Sequence, residues 1–242
     1  VFFAYRGYRM NYYAVTAMLA RVYCWAGEYG NAYKEAKEVV DATYSTGSTS
    51  TASCFNFFNS LTTNRKDYNS IIMTFFKSTC YEDYLPYMTK GNDVVLVVNT
   101  TNLFGDEAGA DDRNLDLFGD WDGGDIKYSF KYDIKEGTSG TDMIPAIRLS
   151  EMYYIMGEYF AYKDEFSKAG EMLDKVRYAR GISTTNLASS IGSLEVFHTH
   201  LIKEMRREFV GEGQMFFQYK RLDQKPKDNV VFVFDKPNNE DI

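Results

Sequence analysis

Glu204-Met-Arg-Arg-Glu-Phe-Val-Gly-Glu-Gly-Gln-Met-Phe-Phe-Gln-Tyr-Lys-Arg-Leu222 is the stretch whose reading decides the fold. Upstream and into it, Leu194, Phe197, Leu201, Met205 and Phe209 recur at spacings of three and four. One stripe of a helix is therefore apolar, while Lys203, Glu204, Arg207 and Glu208 point elsewhere. Gly211 and Gly213 supply the backbone freedom that ends this helix, and Phe216, Phe217, Tyr219 and Leu222 begin a second short apolar segment. The arginines and glutamates read as an ion-pair network clamping two helices, not as catalytic groups.

An internal repeat points the same way. Met18–Ala32 matches Ile155–Ala169 at a constant offset of 137 residues. Leu19 pairs with Met156, Ala20 with Gly157, Tyr23 with Phe160, Tyr29 with Phe166, Ala32 with Ala169, Ala36 with Leu173 and Val39 with Val176. Large, small, aromatic, turn, aromatic, small, apolar is the order of a tetratricopeptide helix hairpin. The small positions let two helices approach closely and the large ones fill the gap. The predicted helices are 10–26, 30–43, 144–162, 165–179, 193–210 and 214–222. Asn31 and Ser193 serve as helix starts, Pro145 as a first-turn proline and Gly181 as a C-terminal stop. Between the hairpins, 44–140 differs in kind. Ser45–Ser53 reads as a loop, Ile71–Phe76 as a buried strand and Ile126–Tyr132 as an alternating strand, with 93–104 open between strand and helix.

These segments together resemble the SusD/RagB family. The opening stretch keeps Arg206, Arg207, Glu208, Phe209, Glu212, Gly213, Phe217, Lys220 and Arg221 of that family's C-terminal signature. It departs at Met215, where the family often has arginine, and at Gln218, where it often has aspartate. Arg9-Met-Asn-Tyr-Tyr-Ala14, Ile144-Pro-Ala-Ile-Arg-Leu-Ser-Glu-Met-Tyr-Tyr154 and Arg177-Tyr-Ala-Arg-Gly181 resemble three further family elements, in the family's order. The resemblance implies a mainly α fold, with tetratricopeptide-like hairpins at 10–43 and 144–179, a loop-rich insertion with short strands at 44–140 and the signature at 193–222. Residues 1–242 would form a single SusD-like domain, the C-terminal part of a longer protein whose lipid anchor lies outside the chain.

Composition narrows the function classes. The chain has 242 residues, 45% of them hydrophobic, enough for a sizeable core. A net charge of −7 and no basic stripe argue against nucleic acid. No run of about 18 or more apolar residues suggests a membrane span. Twenty tyrosines and 18 phenylalanines are more than a small core needs, so some should lie at the surface as contact platforms. Cys24, Cys54 and Cys80 have no metal-ligand spacing. Cys24 reads as a core residue, which leaves Cys54 and Cys80 as the pair that could bridge in an oxidising compartment.

Catalysis finds little support. His198 and His200 lie two apart, on nearly opposite sides of a helix, and no phosphate loop, nucleophile elbow or zinc motif occurs. Asp106, Glu107, Asp111, Asp112, Asp116, Asp120, Asp122 and Asp125 read as a solvated acidic loop, with calcium as the alternative. Asp112-Arg113 resembles the family's D-x-R element and reads as an internal brace. No cofactor is expected. A sugar ring offers an apolar face and a polar rim, so its site wants a flat aromatic beside carboxylates or amides. On that ground the candidate ligand-binding residues are Trp121, beside an acidic glycine turn, and Tyr81, Tyr84 and Tyr87 in the expected Cys80–Met88 loop. The resemblance implies a non-catalytic surface lipoprotein of the outer membrane. It would capture oligosaccharides and deliver them to a TonB-dependent, SusC-like β-barrel transporter. Peptide capture within the same family, or a protein-interaction scaffold, are the alternatives.

Overall fold

The computed structural model describes residues 9–46, 50–58, 61–88, 96–120, 123–132, 143–222 and 233–234. In chain order, α1 (Tyr12–Trp25) and α2 (Tyr29–Val40) are followed by β1 (Thr43–Ser45), β2 (Thr51–Ser53) and β3 (Ile71–Phe76). Next come α3 (Cys80–Met88), β4 (Leu96–Asn99), α4 (Thr100–Phe104), α5 (Asp112–Leu117), β5 (Phe118–Asp120) and β6 (Ile126–Ser129). The chain continues through β7 (Met143–Arg148), α6 (Leu149–Ala161), α7 (Phe166–Ala179), α8 (Leu194–Glu208), α9 (Met215–Arg221) and β8 (Val233–Phe234). These elements form two compact units, one of 1–59, 67–75 and 145–204, the other of 60–66, 76–144 and 205–242.

The first unit is built on the repeat. α1 packs on α2 and α6 on α7, and the two hairpins are the same object down to the backbone. The residues before α2 and α7, Glu28 and Glu165, have φ/ψ of −85/59 and −88/59. Their amides donate to Tyr23 O and Phe160 O, both at 2.9 Å. Gly27 and Asp164, also 137 apart, both sit in the left-handed region, at φ 76 and 59. Ala20, Ala32, Ala36 and Val39 are fully buried, as are Ala169, Leu173 and Val176. Small side chains at the crossings thus set the interhelical distance. The pairing fails at one position: Leu19 is exposed where Met156 is buried. Tyr29 stacks on Tyr162 and Tyr33 on Tyr159, with centroids 3.9 and 4.3 Å apart, joining the hairpins through α2 and α6. Arg21 on α1 adds a fork to Glu151 (2.6 and 2.5 Å) and a bond to Ala146 O.

Gly170 is where α7 meets the 3-10 turn Leu187–Ser189. A Cβ there would lie 2.6 Å from Leu187 C and O and from Ala188 N. Backbone cannot yield as a side-chain tip can, so Gly170→Ala should destabilise the protein by about 1–3 kcal/mol. A lowered urea midpoint with an unchanged slope checks this. An unchanged midpoint would show that the turn shifts freely.

Several local expectations are corrected. The helix expected from 144 starts only at Leu149, and Pro145 lies in β7, which pairs with β3. Ile144 precedes a proline and is biased to extended backbone, and a strand of a two-stranded sheet tolerates the missing N–H. Asn31 is inside α2, its amide donating to Glu28 Oε2 at 2.7 Å, and does not start the helix. Ser45–Ser53, read as a loop, begins on the last residue of β1 and ends in β2, which pairs with it antiparallel. Within 93–104 both readings hold in succession, β4 then α4. Ser193 does cap α8, its Oγ accepting from Val196 N at 3.3 Å. Gly181 at φ 84 ends α7, with Ile182 N bonded to Arg177 O at 3.0 Å.

The second unit holds an antiparallel sheet in the order β5-β6-β4-β8. Its core contains Leu61, Val98, Leu103, Phe104, Leu117, Phe118 and Val210. Through this unit runs a cage of buried charge. Arg207 donates to Glu107 (2.6 Å) and to the carbonyls of Leu103 (3.0 Å) and Phe104 (2.7 Å). Arg113 grips Asp111 through Nε and Nη2 and reaches Glu208 at 3.2 Å. Lys131 pairs with Glu212 at 2.5 Å and donates to the carbonyls of Glu208 and Val210, placing a cation on the C-terminal carbonyls of α8. The D-x-R brace is formed by Asp111 and Arg113. The charged side of α8 is also as buried as its apolar stripe, because Arg207 and Glu208 are paired there and Glu204 is paired with Arg177 in the first unit.

Candidate ligand-binding site

The residues following α2 fold into a wall. Cys54 N donates to Ala42 O (2.8 Å), closing the β1–β2 hairpin. Asn56 N donates to Asn69 O (3.1 Å), and Phe58 N to Asp67 Oδ1 (3.0 Å), tying this strand to the 3-10 turn Tyr68–Ser70. Asp67 is the keystone. It holds φ 50, a left-handed conformation costly for a residue other than glycine, and its carboxylate is paired with Arg180 at 2.8 Å. Arg180 in turn lies over the Phe57 ring at 4.9 Å, and Phe57 stacks on Tyr153. Phe55 packs edge-on against Tyr13 at 5.7 Å. Partial burial first, and then the neighbouring Cys54, push the Tyr13 hydroxyl above its ordinary pKa.

These contacts enclose a cleft of about 360 Å³ lined by Tyr44, Ser53, Cys54, Phe55, Asn56, Tyr68, Asn69 and Ile71. Three aromatic rings stand beside two amides and a hydroxyl, and Tyr44 presents about half its surface to solvent. The volume is at the lower end of small-ligand sites, which run from about 300 Å³ upward. Such a lining can stack one face of a flat ligand and hydrogen-bond its rim. All three cysteines are thiols, so Cys54 and Cys80 are not bridged.

Among the described residues, none of the ligand-binding candidates taken from the sequence lines this cleft. Trp121 lies outside the described residues. Tyr81, Tyr84 and Tyr87 are in the second unit, on the helix α3 where a loop was expected. Thr79-x-x-Glu82 is the helix-start pattern that announces it, and Thr79 Oγ1 donates to Asp83 Oδ2 at 2.9 Å. Tyr84 stacks on Tyr132 with centroids 4.2 Å apart and planes within 6°, so one ring face is taken up by packing, and burial raises its pKa. Tyr81 is partly exposed and Tyr87 exposed. Acidic residues expected in a solvated loop are in part engaged. Asp111 is buried with Arg113, Glu107 pairs with Arg207, Asp120 caps Gly123 N, and Asp125 accepts from Thr101. Asp122 lies outside the described residues. His198 packs against Tyr162 and Phe197 in the first unit. Among the described residues no helix is long and apolar enough to cross a membrane.

The cleft residues Tyr44, Phe55, Asn56, Tyr68 and Asn69 escaped sequence reasoning because they come from separate segments. The aromatic-amide run Phe55-Asn-Phe-Phe-Asn59 was the available signal.

Comparison with known proteins places this architecture. A SusD superfamily protein from Bacteroides thetaiotaomicron superposes with a TM-score of 0.64 at 23% identity, over 88% of this chain and 50% of its own. A SusD-like carbohydrate binding protein from Bacteroides vulgatus gives 0.59 at 21% identity, over 90% and 46%. A laminarin binding SusD-like protein gives 0.58 at 18% identity, over 90% and 56%. The chain therefore spans about half the length of these structures, and the likeness is one of fold. No curated protein matches its sequence. The SusD family model matches residues 20–233, from the second half of α1 through α2, the second hairpin and the C-terminal signature, and the chain belongs to the SusD family.

Proposed function

We propose that this chain is a non-catalytic glycan-binding protein of the cell surface. It captures an oligosaccharide and passes it to a TonB-dependent, SusC-like β-barrel transporter in the outer membrane. The observation that carries this reading is the cleft, where Tyr44, Phe55 and Tyr68 stand beside Asn56 and Asn69 on a wall braced by Asp67 and Arg180. Rings stack on the apolar face of a sugar, and amides bond its hydroxyls. The fold neighbours named as carbohydrate-binding and laminarin-binding lend support from within the family. Affinity as weak as about −4 kcal/mol, a millimolar Kd, serves capture when a transporter is close by. Tyr81, Tyr84, Tyr87 and Trp121 are proposed as separate candidate contacts, tested in the same way.

Titration calorimetry against plant, host and microbial oligosaccharides, alongside mixed peptides, tests the reading. A saturable glycan signal is expected, weakened by about tenfold or more in Tyr44→Ala and in Tyr68→Ala, as for the loss of an aromatic anchor. Tyr44 is half exposed, so its replacement leaves the core intact. Heat from peptides alone would move the protein to the peptide-binding branch. Glycan binding untouched by both variants would remove the cleft from the site.

A further inference from the structure

The cleft's lining has a chemical bias that narrows the ligand class, given that it binds glycans as proposed above. Tyr44, Ser53, Cys54, Phe55, Asn56, Tyr68, Asn69 and Ile71 carry no formal charge between them. An anionic sugar entering such a cleft would give up hydration from its carboxylate or sulfate, and that loss is recovered in full only where a cation stands beside the neutral donors. Arginine is the usual partner for carboxylates and sulfate-like groups because its fork bonds them in pairs.

Two cations on elements that build this wall are already committed. Arg180, behind the wall, is 1% exposed, paired with Asp67 and laid over Phe57. Lys37, on the last turn of α2, pairs with Asp41, the residue before Ala42, whose carbonyl holds Cys54 N. Glu38, also on α2, accepts a hydrogen bond from Tyr12, the neighbour of Tyr13, whose ring packs on Phe55. An incoming anion meets aromatic faces, amides and hydroxyls, within a chain of net charge −7.

We propose that this cleft selects uncharged glycans, built from neutral hexoses or pentoses, and discriminates against uronate-bearing and sulfated ones. Selection arises from the uncharged lining, among the described residues, as much as from what it offers the preferred ligand. A neutral sugar is stacked and hydrogen-bonded with no charge to desolvate, whereas a carboxylate would find amide and hydroxyl donors there but no cation among the described lining residues.

The test uses the full chain and ligands matched in size. Neutral β-glucan, xylan and mannan oligosaccharides are titrated beside oligogalacturonate, carboxyl-reduced oligogalacturonate and a sulfated oligosaccharide, at low and at moderate salt. At least one neutral class is expected to bind with dependence on Tyr44 and Tyr68, with the uronate and sulfated forms weaker by about tenfold or more. Asn69→Arg, which adds a guanidinium to the lining, should narrow that gap in a salt-sensitive way. Oligogalacturonate or the sulfated ligand binding as tightly as the neutral forms, with the same dependence on Tyr44, would overturn the selectivity while leaving glycan capture intact. Silence toward every sugar, charged or not, would overturn glycan capture itself and the selectivity with it.

Discussion

Arg207→Met is expected to destabilise the protein by about 3–5 kcal/mol, the usual effect of removing one partner from a buried charge network. Arg207 is 1% exposed and serves the carboxylates of Glu107 and Asp111 and two carbonyls at once. Methionine fills much of the volume but donates nothing, so Glu107 loses its guanidinium and the carbonyls of Leu103 and Phe104 lose their donors where water has little access. The cation over the Phe104 ring, 5.3 Å from its centroid, goes as well. Urea unfolding should show a lower midpoint. Adding Glu107→Gln should recover part of the loss, giving a double variant less unstable than the sum of the singles. Lys37→Met, which breaks an exposed pair with Asp41, should leave the midpoint where it was. If Arg207→Met behaved like Lys37→Met, the cage would be decoration and not structure.

Arg180→Met should be comparably costly, about 3–5 kcal/mol, and should weaken ligand binding as well. Asp67 and Arg180 are each 1% exposed, and Asp67 holds a left-handed backbone with its carboxylate and carbonyl engaged. Its carboxylate takes Phe58 N–H and Arg180, and its carbonyl takes both N–H and Oγ–H of Ser70. Without the guanidinium a carboxylate is stranded in the wall of the cleft, and the turn that presents Tyr68 and Asn69 loses its reason to hold a strained shape. Asp67→Asn in the Arg180→Met background removes the stranded charge while keeping an acceptor for Phe58, and should restore stability in part. Thermal melts of wild type and both variants, followed by titration with the ligand that wild type binds best, check both halves. A destabilised variant that binds normally would detach the brace from the site, and one of full stability would refute the stranded-charge argument.

The departures from the family signature also have a local account. Gln218, where an aspartate is common, is buried and accepts from Arg221 through Nε at 3.1 Å and Nη2 at 2.9 Å, so the acceptor survives the change in charge. For Met215 the structure offers no comparable explanation.

What the sequence by itself determined was everything carried by periodicity and by near neighbours in the chain. The two hairpins were legible because small, large and aromatic positions recur at an offset of 137, and a helix translates such spacing directly into one packed face. The glycine stops at 181, 211 and 213 were legible because only a left-handed backbone makes those turns, and each does have positive φ. The family itself followed from motifs of this short-range kind. Tertiary structure decided the rest. The partner of Arg207 lies 100 residues away and that of Arg113 at Glu208 lies 95 away, so nothing local marked the charged side of α8 as buried. Pro145 entered a strand because β3 was there to pair with β7. The cleft exists because Asp67 and Arg180, far apart in the chain, neutralise each other and bring Tyr44, Phe55 and Tyr68 to one concave face. Spacing along a chain specifies a face of an element, but a site made by several elements is specified only once their packing has placed them together.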